Sequence, residues 1–283
     1  MEPDRADIFR RLVAGVAGLS GVESIGLSGG GVEFPVPGPC LPDFEDGDID
    51  LFVYGETIPG AKERQALMDR LSDVLEDVRI GAIQGGVWGI GDFACIGGVE
   101  TCVMYFTTAE TRAELDGILA GRHPDRDAGG FFPTGRCAMY RSIRILHDRT
   151  GYLARLRESV RIYPETLAEK LTQYHLDRLA DPEDLERGVA RRDPLFYHHA
   201  LDRALDHFLQ ALFAMNRCFF PSRKRSLAIM ESFHVKPNKC AERLLAVVAD
   251  GGLPDGIRTS FDGFQELSGE LRSLACPSDA ITF

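Results

Sequence analysis

Three places in the sequence carry residue types that do chemistry at short spacing. The first is Asp48-Ile49-Asp50, at the head of the alternating run Asp48–Tyr54. A strand turns successive side chains to opposite faces, so Asp48 and Asp50 project from one face about 7 Å apart while Ile49 turns away. Two carboxylates held this way are hard oxygen donors for divalent cations such as Mg²⁺. A pair of such ions can bridge to a nucleoside triphosphate, activate an attacking hydroxyl and stabilise a leaving pyrophosphate. The second place is the turn Ser28-Gly29-Gly30-Gly31, directly after the apolar run Val22–Leu27. Glycine lets the backbone approach a phosphate closely and aim N–H groups at it. No lysine follows, so the turn is not a GxxxxGK[ST] phosphate loop. The third is Glu100, at the entry to the apolar run Val99–Phe106, where an acid on a neighbouring strand can reach the same ions or take a proton from an acceptor. Asp92 is the fallback for that role. Taken singly, these features also fit an edge strand meeting water, a tight turn and a solvent-facing glutamate; their combination is what points to chemistry.

A fourth signal lies far along the chain. Residues 216–239 hold six basic side chains (Arg217, Arg223, Lys224, Arg225, Lys236 and Lys239) against one acid, Glu231, in a protein of net charge −11. Ser222 is placed to cap a following helix, and a helix start rich in Lys and Arg is electrostatically unfavourable unless an anion sits there. The alternative is a solvated basic helix end.

The elements that must position these residues follow from hydrophobic periodicity. Helices are expected over 4–19, 61–76 and 108–120, and strands over 22–27, 48–54, 78–83, 93–96, 99–107 and 142–146, with Gly97-Gly98 as a hairpin turn. The four prolines between Phe34 and Pro42 make that stretch a loop. Beyond Gly151 strand patterns disappear, and helices are expected over 152–160, 164–179, 184–215, 222–233, 239–249 and 260–275. The expected architecture is α+β: a mixed sheet with flanking helices in residues 1–150, then an all-helical bundle in 151–283 that closes over the nucleotide.

Composition narrows the class. In 283 residues, 44% of them hydrophobic, there is enough apolar material for a core, and seven cysteines without a CxxC pair indicate reduced thiols, not a disulfide framework or a zinc knuckle. No apolar run reaches the roughly 18 residues of a membrane span and the start is not a signal peptide, so a cytoplasmic protein without membrane partners is expected. Residues 1–150 carry 14 basic and 24 acidic side chains, residues 151–283 carry 18 and 19. Such an acidic chain does not grip long nucleic acid, and its first half could attract a cationic acceptor.

Together, Ser28-Gly29-Gly30, Asp48-Ile49-Asp50-Leu51 and Glu100 resemble the motif set of the nucleotidyltransferase superfamily, the DNA polymerase β-like fold. The resemblance implies that Ser28, Gly29 and Gly30 line the triphosphate, that Asp48 and Asp50 bind Mg²⁺, two ions being possible, and that Glu100 is third ligand or general base. It implies transfer of NMP, with AMP from ATP as the expected case, to a hydroxyl of a small-molecule or protein acceptor with release of pyrophosphate. Two features depart from the pattern: Ser28 stands where a hydrophobic residue is usual, and the spacer Gly31–Gly47 is long, its excess supplied by the proline loop, an insertion that costs little loop-closure entropy. The helical half resembles that of bacterial antibiotic nucleotidyltransferases and of the uncharacterised DUF4037-like family, which implies a phosphate contact for Lys224 and, after it, for Arg223 and Arg225. Two other readings stay open. One is an inactive nucleotide-binding or antitoxin-like module. The other is a HEPN-type ribonuclease, from the spacing of Arg192 and His198. His198, His199 and Trp88 are otherwise expected to pack, and Arg144 and Asp148 to line or bridge the junction of the two halves.

Overall fold

The computed structural model describes residues 4–28, 47–122, 124 and 132–275. Six strands form one sheet: β1 (Val22–Ser28), β2 (Ile49–Gly55), β3 (Glu76–Gln84), β4 (Ile90–Ile96), β5 (Val99–Thr107) and β6 (Arg144–Asp148), in the order β3-β4-β5-β2-β1-β6. Only the central pair β2 and β5 runs parallel. These two are also the most continuously apolar strands, as burial on both faces requires.

One face of the sheet is covered by α1 (Arg5–Ala17) and α2 (Ala61–Arg70). Ile8, Phe9, Leu12 and Val16 from the first and Leu67 and Met68 from the second bury against Ile25, Leu27, Ile49, Leu51, Val53 and Val103. The opposite face is covered over only part of its length. There Tyr54 meets Phe106, Tyr140 and Tyr152 at ring-centroid distances of 5.7, 6.2 and 5.6 Å. Tyr140 and Tyr152 come from α4 (Pro133–Ser142) and α5 (Tyr152–Ser159), and α3 (Thr108–Leu119) follows β5 directly. Gly26 is required beneath this cover, because a Cβ there would lie 2.3 Å from Ile143 Cδ1. Asp148 ties β6 to the start of α5. It accepts from the Ser24 hydroxyl at 2.6 Å and from the N–H groups of Ala154 at 3.0 Å and Leu153 at 3.3 Å. Burial works to raise this carboxyl, but these donors outweigh it and hold it below the usual range.

The described residues divide into two compact units, and the division falls after α5: residues through Gly117 join Arg136–Ile162, while Phe132–Gly135 and the chain from Tyr163 onward form the second with the end of α3. The second unit contains α6 (Glu165–Leu179), α7 (Glu183–Arg191), α8 (Pro194–Met215), α9 (Ser226–Glu231), α10 (Cys240–Asp250) and α11 (Ile257–Ala275). In α8 every side chain from Phe208 to Met215 is buried, on all sides of the helix, which makes it the central member. At its start Tyr197 donates to Ser260 Oγ at 2.9 Å, and Ser260 donates onward to the Val247 carbonyl at 2.6 Å. The fold is thus α+β, a mixed sheet with flanking helices and a helical C-terminal region. Among the described residues no helix is long and apolar enough to cross a membrane.

Several local expectations are corrected. The helix expected over 61–76 stops at Arg70 and gives way to β3 at Glu76. The helix expected over 184–215 is two, broken where Arg192 takes φ +51° and Asp193 caps Pro194 by accepting from the Leu195 and Phe196 N–H groups. Ser222 does not cap a helix; it accepts from the Lys224 N–H at 3.1 Å in a turn, and α9 begins only at Ser226. Pro133–Ser142 is a helix that no apolar periodicity announced. Trp88 lies 45% exposed in a one-turn 3₁₀ segment and is not a core residue.

A buried histidine pair joins α6 to α8. His175 is fully buried, with Nδ1 2.9 Å from Nδ1 of His207. Burial, and then the neighbouring His207, push His175 down to about 3. Between that value and the unfolded value of about 6.5 the unfolded chain binds a proton that the folded chain does not, so stability falls as pH drops. The urea midpoint should therefore decrease from pH 7 to pH 5, and His175→Leu should flatten that slope.

Candidate active site

Strand register brings the acidic residues together. Ser28 of β1 stands opposite Asp50 of β2, Asp50 opposite Cys102 of β5, Cys102 opposite Phe93 of β4, and Phe93 opposite Arg79 of β3. Paired residues share a face, so these five form one row across the sheet. Glu100, two residues before Cys102, lies on the same face. Asp48 immediately precedes β2, and carrying the register back two residues sets position 48 beside position 100. With strands about 4.8 Å apart and two residues spanning about 6.7 Å, the Cα atoms of Asp50 and Glu100 are about 8 Å apart. The charges converge on Cys102. Its thiol is pushed up to about 11, first by burial and then by the negative charges of Asp50, Asp48 and Glu100.

This face is the one that α4 and α5 cover farther along β2 and β5. Phe52, Tyr54 and Met104 are buried there, whereas Asp50 and Cys102 are half-buried and Asp48 and Glu100 are exposed. Among the described residues, the acids therefore stand at the end that α4 and α5 do not cover. Among the described residues no group of three His, Cys, Asp or Glu side chains is gathered closely enough to hold a metal ion by itself. Mg²⁺ in nucleotide sites commonly takes only one or two carboxylates, completing its shell with phosphate oxygens and water, and the hard oxygens of Asp48 and Asp50 suit that arrangement.

Asp92 does not join them. It faces the other side of the sheet, where it is fully buried and ion-paired with the equally buried Arg64. Its Oδ1 also accepts from the Gly81 N–H at 2.9 Å, and the Arg64 guanidinium lies 5.0 Å from the centroid of the Tyr105 ring. Burial nonetheless raises the Asp92 carboxyl above the usual range, against the lowering effect of Gly81 and Arg64. The fallback role assigned to it fails because Asp92 pairs with Val103, one residue out of phase with Cys102.

Of the expected phosphate contacts, Ser28 stands beside Asp50, and Gly29 and Gly30 lie outside the described residues. In the second unit Arg223 is held internally: Nε donates to Asp206 at 2.6 Å, Nη2 to the Asp202 carbonyl at 2.7 Å, and the Asp202 carboxylate closes the contact. That accounts for Arg223 without a phosphate. Lys224 is exposed. Arg192 sits at the break before α8, paired with Asp255, and His198 is half-buried on α8. Cys102, Phe93 and Arg79 escaped the sequence reading. Alternation from Glu100 to Cys102 would have found the first; the other two needed the pairing of β3, β4 and β5.

A hollow of about 610 Å³ opens at the other end of β5, walled by Ile90, Phe106, Glu110, Glu114 and Arg136. Six residues, about 20 Å of strand, separate Phe106 from Glu100, so this hollow does not serve the acid row.

Residues 132–225 match the family model of a domain of unknown function, DUF4037. Among solved structures the chain is similar to a nucleotidyltransferase-like protein from Exiguobacterium sibiricum, with 13% identity, a TM-score of 0.47, and coverage of 97% of this chain and 78% of that one. No protein of curated function matches in sequence.

The Arg64–Asp92 pair generates a stability prediction. Asp92→Ala strands a guanidinium in the core and should cost about 3–5 kcal/mol in urea denaturation, whereas the double variant Arg64→Met/Asp92→Leu should recover most of that loss.

Proposed function

We propose that the protein is a Mg²⁺-dependent nucleotidyltransferase that moves NMP, with ATP as the expected donor, to an acceptor hydroxyl. The single observation behind this reading is the β2–β5 register, which gives Asp48, Asp50 and Glu100 one face beside the end of β1. Bound Mg²⁺ would neutralise the phosphate oxygens and lower the pKa of the attacking hydroxyl. Asp48 and Asp50 would hold the ion, whose charge would offset that of the triphosphate. Ser28 stands opposite Asp50, the side on which the β- and γ-phosphates would lie. The acceptor oxygen attacks the α-phosphorus; the new O–P bond forms as the bond to the pyrophosphate oxygen breaks, pyrophosphate leaves with that electron pair, and Glu100 takes the hydroxyl proton.

ATP with Mg²⁺ should raise the melting temperature. At a hundredfold excess over Kd the stabilisation is about 2.7 kcal/mol, a shift of several degrees. EDTA should reverse it, and Asp50→Asn should remove the Mg²⁺-dependent part together with pyrophosphate release. A nucleotide shift with no pyrophosphate release across a broad acceptor panel would identify a binding module instead.

A further inference from the structure

The hollow beyond β5 lies at the carboxyl ends of the parallel pair: Ile58 follows β2 by three residues, Thr107 ends β5, and Glu110 and Glu114 stand one turn apart on α3. Sheets with parallel strands commonly bind ligands at that end. The rim contributed by the turn from β3 to β4 is bare backbone. Gly85, Gly86 and Gly89 take φ +83°, +67° and +68°, and a Cβ on Gly89 would lie 2.7 Å from the Tyr105 carbonyl oxygen, so only glycine lets this turn fold down beside the end of β5. A Cβ on Gly85 or Gly86 would meet nothing within 4 Å, and Ile90 beside them is 41% exposed. A space of about 610 Å³ is the size of a small-molecule site.

Charge around the hollow is uneven. Among the described residues Arg136 is the one cation lining it, and it is buried, with Nε 3.8 Å from Glu114 Oε1 and its guanidinium 5.1 Å from the centroid of the Phe106 ring. Glu110 is exposed, and its one hydrogen-bond donor among the described residues is the Thr107 hydroxyl, a neutral group that leaves the carboxylate charge in place. The Glu110 N–H donates back to Thr107 Oγ1 at 3.3 Å, a capping box that fixes this carboxylate at the start of α3, where the positive end of the helix favours the anion. Two carboxylates against one guanidinium leave the lining net negative, beside an apolar wall at Ile58, Val87 and Ile90. We propose that this hollow is a ligand site separate from the acid row, for a small molecule with an apolar body and a protonated amine. The body lies against Ile58, Val87 and Ile90, and the ammonium, a compact cation with three donors, meets Glu110 and Glu114. This inference does not rest on the nucleotidyl-transfer reading.

The test uses 2-phenylethylamine, with 2-phenylethanol as its neutral and 3-phenylpropanoate as its anionic counterpart, titrated into the full chain and followed by NMR at the methyl groups of Ile58, Val87 and Ile90. The amine should shift these methyls saturably and bind about tenfold tighter than the alcohol, the margin of one charge-assisted hydrogen bond, with the carboxylate weakest. Glu110→Gln keeps the capping hydrogen bonds and should bring the amine down to about the affinity of the alcohol, whose own binding stays unchanged. Glu110→Asp keeps the charge and should retain part of the amine's preference, which a merely structural role for this glutamate would not produce. Binding should be the same with EDTA as with Mg²⁺, and the same in Asp50→Asn, which separates this site from the acid row. Amine shifts that fail to saturate, that appear at Phe93 in place of the hollow, that vanish in Asp50→Asn, or that survive Glu110→Gln undiminished overturn the proposal. So does 3-phenylpropanoate binding as tightly as the amine.

Discussion

The parallel pairing of β2 with β5 is the constraint on which everything else in the first unit depends. It is the only parallel contact in the sheet among the described residues, and it fixes Asp50 beside Cys102. Side chains alternate with a period of two, so a slip of one residue would send Glu100 to the α1 and α2 face and leave the aspartates without an acidic neighbour. The register is secured by burial on both sides of the same strands. Ile49, Leu51 and Val53 lock into the core under α1 and α2, while Phe52 and Tyr54 lock under the aromatic cover of α4 and α5. Among the described residues, the acids occupy the end of this pair that α4 and α5 do not reach.

The two faces of the sheet handle charge in opposite ways. On the α1 and α2 side a single carboxylate, Asp92, is admitted only with Arg64 and the Gly81 N–H attached to it, because an unpaired charge there would carry a large desolvation cost. On the other side three carboxylates stand near one another with solvent access, and the half-buried Cys102 thiol registers their joint field. The buried pair has a structural explanation complete in itself.

In the second unit the basic segment follows a different logic. Arg223 is neutralised by Asp202 and Asp206 from α8, one helix turn apart, so this residue, which reads as a phosphate contact in sequence, belongs to an internal ion-pair network. Helix α8 is the spine of that unit, and its neighbours are fixed by the His175–His207 contact, the Tyr197–Ser260–Val247 chain and the packing of Phe208 on Phe264.

What the sequence determined alone was local. Alternation placed Asp48 and Asp50 on one face, the Gly97-Gly98 turn joined β4 to β5, and the loss of strand patterns after Gly151 marked the helical half, because periods of two and of 3.6 are written directly in residue order. Proline and aspartate also carried the break at Asp193-Pro194, though the apolar pattern on both sides hid it. Tertiary structure alone decided which strands neighbour one another. Whether Glu100 or Asp92 shares a face with the aspartates turns on parity across two strand pairings, and whether Arg223 is available to a ligand turns on acids 17 and 21 residues away. Such pairings are settled by which buried faces fit together, a property of the whole core, and no window of sequence contains it.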